Sequence, residues 1–348
     1  MYSDRVENRG AAKRAGIIEV AELAGVSRQT VTRAMNDMPG ISAETKKRVL
    51  EAAERLRYRP SRFGRELVQQ STRSLGLVVS DLANPYFSEL ASAVSKIAIA
   101  NDWTLVVMEK HPGPESGKEE LRALAGQVDA AIAYADLAPQ DIDSVFGSLP
   151  LVLMDTAERT LDALSPSYPR SALTIDLEPG LAQAIDHLAA RGRSRIFLID
   201  ITYPQGESVR SAVYESLMRD RGLEPHVITV ESMDDDLSVG RCAVGIALNA
   251  PIPPDAIIAF NDLSAFGVLK ELRVRGIGVP DACAVVGIDG LKIGVFVEPE
   301  LTTLRLDFAA FAQMAFDCVV QMYHAPASGP LPQIRRYAAH ELVIRESA

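Results

Sequence analysis

Apolar residues near the start of the chain recur at helical spacing, at Ile17, Val20, Ala21 and Ala24, and mark one buried stripe of a short helix. Gly25 follows where the chain must turn sharply, a position that favours a residue free to adopt a left-handed conformation. Ser27 stands where an N-cap belongs and opens a second helix at Arg28. Val31 and Ala34 turn back toward the first helix, which leaves Arg28, Gln29, Thr32 and Arg33 facing outward. Ala21 is small enough for the two helices to cross closely. This is a helix-turn-helix pattern, and a second helix with Arg and Gln at its outward start has the geometry that enters a DNA major groove. A plain helical hairpin with a solvated polar face would share the pattern over so short a stretch.

The residues that follow complete a three-helix unit. Pro39 and Gly40 mark a loop, and Ser42-Ala43-Glu44-Thr45 resembles a capping box with Thr45 in the place usually held by Glu or Gln. The third helix carries Val49, Ala53 and Leu56 on one face and Lys46, Lys47, Arg48, Arg55 and Arg57 elsewhere. Pro60 ends it, because proline disfavours helix in the residue before it. From Ser74 onward the pattern changes to short apolar runs alternating with helical segments. Strands are predicted at 75–79, 104–108, 130–133, 151–154, 172–175, 195–199, 257–260 and 284–288. Helices are predicted at 86–100, 180–191, 209–220 and 263–275. Such alternation builds parallel sheets with helices on both faces, and two series of similar size predict two lobes with a cleft between them. Ligands of open parallel sheets bind beyond the carboxyl ends of the strands.

The run Val20-Ala21-Glu22-Leu23-Ala24-Gly25-Val26-Ser27, then Thr30-Val31-Thr32-Arg33 and Asn36, then Ile41-Ser42, Thr45, Val49, Ala52-Ala53 and Leu56 to Pro60, resembles the lactose/galactose-repressor (LacI/GalR) family in order, spacing and position. The resemblance extends over roughly residues 16 to 345. It implies an all-α helix-turn-helix DNA-binding domain at 16–60 after a tail without fixed structure at 1–15. A hinge helix and linker at 61–72 follow, then a bilobed periplasmic-binding-protein-like α/β core at 73–345. The N-subdomain would comprise about 73–175 and 306–334, and the C-subdomain about 176–305 and 335–345. The chain would cross between lobes near Ile175, Arg305 and Arg335. The implied function is that of a transcriptional regulator, a repressor by default. It would bind a pseudo-palindromic operator as a homodimer and respond allosterically to a small effector, a sugar or sugar derivative, in the cleft. No cofactor, metal or membrane partner is implied.

Charge supports the division of labour. The chain as a whole is acidic at −10, which alone argues against nucleic acid. Residues 1–73, however, hold 15 Lys and Arg against 9 Asp and Glu, and the remainder 21 against 37. A basic head on an acidic body lets one end approach phosphate while the other is repelled. Cys242, Cys283 and Cys318 lie far apart in apolar contexts, with neither metal-ligand nor disulfide spacing, as expected for free thiols in a reducing cytoplasm. The stretch from Met1 to Ala15 lacks the apolar core of a signal peptide, and no apolar run is long enough to span a membrane.

On the family's pattern, Arg28 and Gln29 match the positions that read base edges. Arg can grip guanine O6 and N7, and Gln can pair with adenine N6 and N7. Arg33 suits either a base edge or a phosphate. Ser27, Thr30, Thr32 and Asn36 suit phosphate contacts, which position without specifying. Leu67 matches a leucine that wedges into the minor groove, and Gly64 weakens its short helix, so the hinge is expected to order only on DNA. Arg210, Asn261 and Asp289, with Asp155, match positions that hydrogen-bond sugar hydroxyls. Tyr86 and Phe87 either pack on a sugar ring or fill the core, Asp262 reads as a helix cap, and Trp103 reads as core. Val213 stands where a glycine is common, Leu306 where some relatives place a polar contact, and Asp234-Asp235-Asp236 reads as a solvated loop. The alternatives are a periplasmic sugar-binding protein and a sugar-acting α/β enzyme with an accessory head. No phosphate loop, nucleophile elbow or metal-ligand cluster supports the enzyme, and neither alternative needs a basic head.

Overall fold

The computed structural model describes residues 17–35, 39–56, 73–110, 116–134, 137–156, 158–202, 208–231, 235–325, 331 and 333–348. Two compact units divide the chain, Met1–Thr72 and Arg73–Ala348. The tail at 1–15, the hinge at 61–72, Asn36 and Leu67 lie outside the described residues.

In the first unit, α1 (Ile17–Ala24), α2 (Arg28–Met35) and α3 (Ala43–Arg55) share one small core. Val20, Ala21, Ala24, Val31, Ala34, Val49, Ala52 and Ala53 are its buried members. Alanines dominate, so the helices approach closely at the expense of apolar area. Gly25 turns the chain between α1 and α2 at φ +65°, and the next amide, that of Val26, donates back to the Ala21 carbonyl (3.0 Å). Nothing lies within 4 Å of where a Cβ on Gly25 would sit, so its requirement is purely conformational. Gly25→Ala is expected to cost the head about 1–2 kcal/mol, the penalty of a left-handed L-residue. A thermal melt of the DNA-binding unit followed by circular dichroism reads it, and an unchanged midpoint would contradict the assignment. Ser27 caps α2 by accepting from the Thr30 amide (3.1 Å), and Ser42 caps α3 by accepting from the Thr45 amide (3.1 Å). Ser42 also donates to the Thr45 hydroxyl (2.9 Å).

The second unit has two lobes. Strands β1 (Arg73–Val79), β2 (Trp103–Glu109), β3 (Ala130–Ala133), β4 (Leu151–Met154) and β5 (Arg170–Asp176) form the first sheet together with β11 (Gln333–Ala339). Their order is β11-β5-β4-β3-β1-β2, and every pairing is parallel. Helices α4 (Pro85–Ala100) and α12 (Phe308–Tyr323) cover one face, with Leu90, Val94, Phe311 and Phe316 in its core. Helices α5 (Ser116–Ala125), α6 (Pro139–Phe146) and α7 (Glu158–Ala163) cover the other, with Leu121, Ile142, Phe146 and Leu161. Trp103 is buried against Phe316 and Tyr323, a core residue as its sequence context implied. Because both faces are covered, β1 is buried at every position from Ser74 to Val79 and shows no alternation.

The second sheet is built from β6 (Ile196–Ile201), β7 (His226–Val230), β8 (Ala256–Ile258), β9 (Ala284–Asp289), β10 (Thr302–Arg305) and β12 (Glu341–Val343). Its order is β12-β10-β9-β8-β6-β7, parallel except for β12, which runs antiparallel to β10. Helices α8 (Glu178–Ala190) and α9 (Val209–Asp220) pack on one face, α10 (Asp236–Leu248) and α11 (Asp262–Val274) on the other.

The chain passes from the first sheet to the second after Asp176, returns after Arg305 and passes over again at His340. The last crossing was expected near Arg335. Instead β11 stays beside β5 from Gln333↔Arg170 to Ala339↔Asp176. It is an edge strand on which only Ile334 and Ala338 are buried, so its polar residues hide a seven-residue ladder. The Asp234–Asp236 region also differs from the expected loop. Asp235 is the N-cap of α10, accepting from the Ser238 amide (2.7 Å), and Asp236 begins the helix. Asp234 lies outside the described residues.

Candidate functional site

In the head, Ile17, Ser27, Arg28, Gln29 and Thr32 line one open concavity. Arg28 and Gln29 project from the first turn of α2 and are exposed. Ser27 and Thr30 hold each other through their hydroxyls (2.9 Å), and Thr32 donates its hydroxyl to the Arg28 carbonyl (3.1 Å). These groups therefore fix the start of the helix as well as lining its face. Arg33 is not part of the concavity. Its Nη1 lies 3.3 Å from where a Cβ on Gly40 would stand, against the loop before α3.

In the second unit, the candidate ligand residues gather where the carboxyl ends of the two sheets meet. Asp155 follows β4 at φ +47° and Asp289 ends β9 at φ +122°. Left-handed backbone at non-glycine residues costs free energy, and it recurs where a site demands a particular side-chain direction. The Asp155 side chain reaches solvent, yet burial by the surrounding protein raises its carboxyl, with Arg210 acting in the opposite sense. That combination describes a group on the wall of a cleft. Asp289 is pushed well above the usual carboxylate range by burial and by Asp262, Asp236 and Asp155, while Arg210 pulls it down.

Arg210, in the first turn of α9, donates Nη1 to the Phe260 carbonyl (2.7 Å) and lies with its guanidinium 4.2 Å from the Phe260 ring centroid. Its Nε is buried and has no hydrogen-bond partner among the described residues. The aromatic candidates belong to a four-ring cluster. Tyr86 meets Phe87 and Phe308 edge-on at 5.1 Å each, Phe87 meets Tyr134 at 5.1 Å, and the Tyr86 and Tyr134 hydroxyls are 2.5 Å apart. Tyr86 is buried and works as core, while Phe87 is half-buried at the edge of the cluster. Asn84 and Pro85 place both rings, since Asn84 caps α4 by accepting from the Tyr86 amide (3.0 Å).

The cap expected at Asp262 is supplied by Asn261 instead. Asn261 is the cap of α11. Its Oδ1 accepts from the Ser264 amide (2.8 Å), Ser264 Oγ accepts from the Asn261 amide (2.9 Å), and Asn261 Nδ2 donates to Asp236 (2.7 Å). Asp262 is instead a buried strut that accepts from the Leu291 amide (2.7 Å) and the Thr303 hydroxyl (2.5 Å). Burial pushes its carboxyl up to about 7. Gly287 makes room for it, because a Cβ there would stand 2.1 Å from Asp262 Oδ1. Leu291, held by Asp262, is buried in the core of the first lobe, and Lys292 grips Glu89 of α4 through its amide and its ammonium (3.2 Å each). The segment after Asp289 thus ties the second lobe to the first.

Sequence reasoning did not single out Tyr134, Phe260, Phe308 or His340. Tyr134 follows β3 as Asp155 follows β4, so the strand-end rule that found Asp155 could have found it. Phe308 reaches the cluster only through tertiary packing. Among the described residues, no group of three or more His, Cys, Asp and Glu side chains is placed to hold a metal ion. No described helix is long and apolar enough to cross a membrane.

Residues 16–61 match the family described as bacterial regulatory proteins, lacI family, and residues 185–348 match the periplasmic binding protein-like domain. A crystal structure of a LacI family transcriptional regulator from Arthrobacter sp. FB24, in complex with lactose, is 30% identical. It superposes with a TM-score of 0.69 over 79% of this chain and 99% of its own. The chain belongs to the LacI family. The HTH-type transcriptional regulator GalR of Salmonella typhimurium (strain SL1344) is 28% identical over 341 residues, 96% of each chain. The lac repressor dimer bound to operator and the anti-inducer ONPF is 26% identical, with a TM-score of 0.72 over 96% of this chain and 99% of that one. This LacI-family protein is accordingly a DNA-binding transcriptional regulator whose head and bilobed core both have counterparts in its relatives. Those relatives are regulators rather than enzymes.

Proposed function

We propose that this protein is a repressor that binds a pseudo-palindromic operator as a homodimer and changes its affinity when a sugar or sugar derivative enters the interlobe cleft. The observation that carries the effector reading is the meeting of Asp155, Asp289 and the unpartnered Nε of Arg210 beside the Phe87–Tyr134 ring pair. Carboxylate and guanidinium groups hold vicinal hydroxyls in pairs, and ring faces cover the apolar side of a sugar. The lactose complex of the Arthrobacter relative supports the same reading. Asn261 joins the site, if at all, through groups already bonded within the protein, so Asp155, Arg210 and Asp289 are the principal contacts. Bound ligand would press on Asp289, two residues before the tie formed by Leu291 and Lys292, and so shift how the lobes engage. That supplies two sites and one two-state element, as allostery requires. The cleft works as a binding site, and the protein acts in the cytoplasm where its DNA is.

A dimer with two-fold symmetry requires a two-fold site. Arg28 and Gln29 read base edges, Arg33 meets a base edge or a phosphate, Ser27, Thr30 and Thr32 meet phosphates, and Asn36 and the Leu67 wedge complete the contact on the family's pattern. Arg28→Ala is expected to lower preference for operator over mismatched duplex by about 1–3 kcal/mol while weakening nonspecific binding far less. Fluorescence anisotropy on the two duplexes at fixed salt measures this. Equal loss on both would remove Arg28 from base reading. A thermal-shift screen of sugars tests the effector, since a ligand of the folded state raises the midpoint.

A further inference from the structure

We infer that the cleft selects an effector without negative charge, a neutral or ammonium-bearing polyol, and refuses carboxylated and phosphorylated sugars. The inference rests on the reading of the cleft as the effector site and concerns which ligands that site can hold.

Arg210, the guanidinium that acts on both Asp155 and Asp289, is already engaged. Arg210 is bonded to the Phe260 carbonyl and lies on the Phe260 ring, which leaves Nε as its unpartnered donor. Lys292 is held by Glu89, Arg305 by Glu341 (3.0 Å) and Arg345 by the Leu301 carbonyl (2.6 Å). His340, at the crossing between the sheets, is kept neutral by burial and by Arg210, which together hold its imidazole down to about 4. Against this partly available guanidinium stand the carboxyl groups of Asp155 and Asp236, each within electrostatic reach of Asp289.

Several of the backbone sites that elsewhere take anions are also filled. A helix start binds phosphate through its unpaired amides. The starts of α4, α10 and α11 are capped instead by Asn84, Asp235 and Asn261. That of α9 has no side-chain cap, but the buried Asp200 carboxylate stands beside it and accepts from Ser211 Oγ (2.5 Å). A ligand carboxylate or phosphate would therefore enter a site already crowded with carboxyl groups, whose ionisation it would oppose further. A hydroxyl or ammonium group donates to the same carboxylates and relieves their crowding.

Isothermal titration of the full-length protein tests this with three matched series: glucose, glucosamine and glucuronate; galactose, galactosamine and galacturonate; ribose and ribose 5-phosphate. In any series that binds, the neutral or ammonium member should be tightest, and the carboxylate or phosphate at least about tenfold weaker. In that series Asp155→Asn should narrow the gap. An anionic member as tight as its neutral counterpart, or a gap that Asp155→Asn leaves unchanged, overturns the charge rule and leaves the effector reading standing. Silence from all three series, with DNA binding intact, overturns the sugar-effector reading and this inference with it.

Discussion

Arg210→Ala is expected to abolish the effector response, raising the half-maximal ligand concentration roughly a hundredfold, or about 3 kcal/mol, while DNA affinity without ligand changes little. Among the described residues the guanidinium is the one cation acting on both Asp155 and Asp289, and its Nε has no hydrogen-bond partner there. Removing it deletes a charge-assisted donor to ligand and leaves two carboxylates without their counterweight. Arg210→Lys keeps the charge without the planar fork and should recover only part of the response. The readout is effector titration of the protein–DNA complex. An unchanged dose response in Arg210→Ala would remove Arg210 from the site. Loss of DNA binding in the absence of ligand would show instead that it holds the lobes together.

The largest stability effect is expected where α10 and α11 pack backbone to backbone. A Cβ on Gly267 would stand 2.1 Å from the Leu237 carbonyl oxygen, and one on Gly240 would stand 1.9 Å from that of Ser264. Neither neighbour is the tip of a flexible side chain, so the helices must separate. Gly267→Ala should cost about 3 kcal/mol or more, at the upper end of overpacking penalties. Urea unfolding followed by circular dichroism measures it. A midpoint within error of the parent would mean that the helices are not in close contact. The same approach carries function, because α11 begins with Asn261 and Asp262, and Asp262 holds the segment after Asp289.

Much of the architecture was legible because it is written in local apolar runs. The strands at Ala130–Ala133 and Leu151–Met154 and the helix at Val209–Asp220 appear with the bounds that their sequences imply. These segments are buried on both faces or carry one continuous stripe, so period and length suffice. Elements whose identity depends on partners were less visible. β11 reads as a polar stretch because it is an edge strand, and only its pairing with β5 reveals it. α10 begins in a run of aspartates that resembles a solvated loop until Asp235 is seen capping it.

The sites show the same division. Arg28, Gln29, Asp155, Arg210 and Asp289 could be named from motif and strand-end position. Whether Asn261 or Asp262 caps α11 could not, because the answer turns on where the preceding strand stops. β8 ends at Ile258, two residues before the point that the apolar run suggested, and this rotates Asn261 into the cap and Asp262 into the interior. The ring cluster joins residues from three segments far apart in sequence, Tyr86 and Phe87, Tyr134 and Phe308. No local pattern predicts such a meeting.

The central claim is that the head reads a two-fold DNA sequence through Arg28 and Gln29. Selection of bound duplexes from a random pool by the full-length protein tests it most directly, with Arg28→Ala run in parallel. The account predicts enrichment of a pseudo-palindrome by the parent protein and relaxed choice, at matched positions of both half-sites, by the variant. Recovery of duplexes without two-fold symmetry, or the same preferred bases from both proteins, would contradict it.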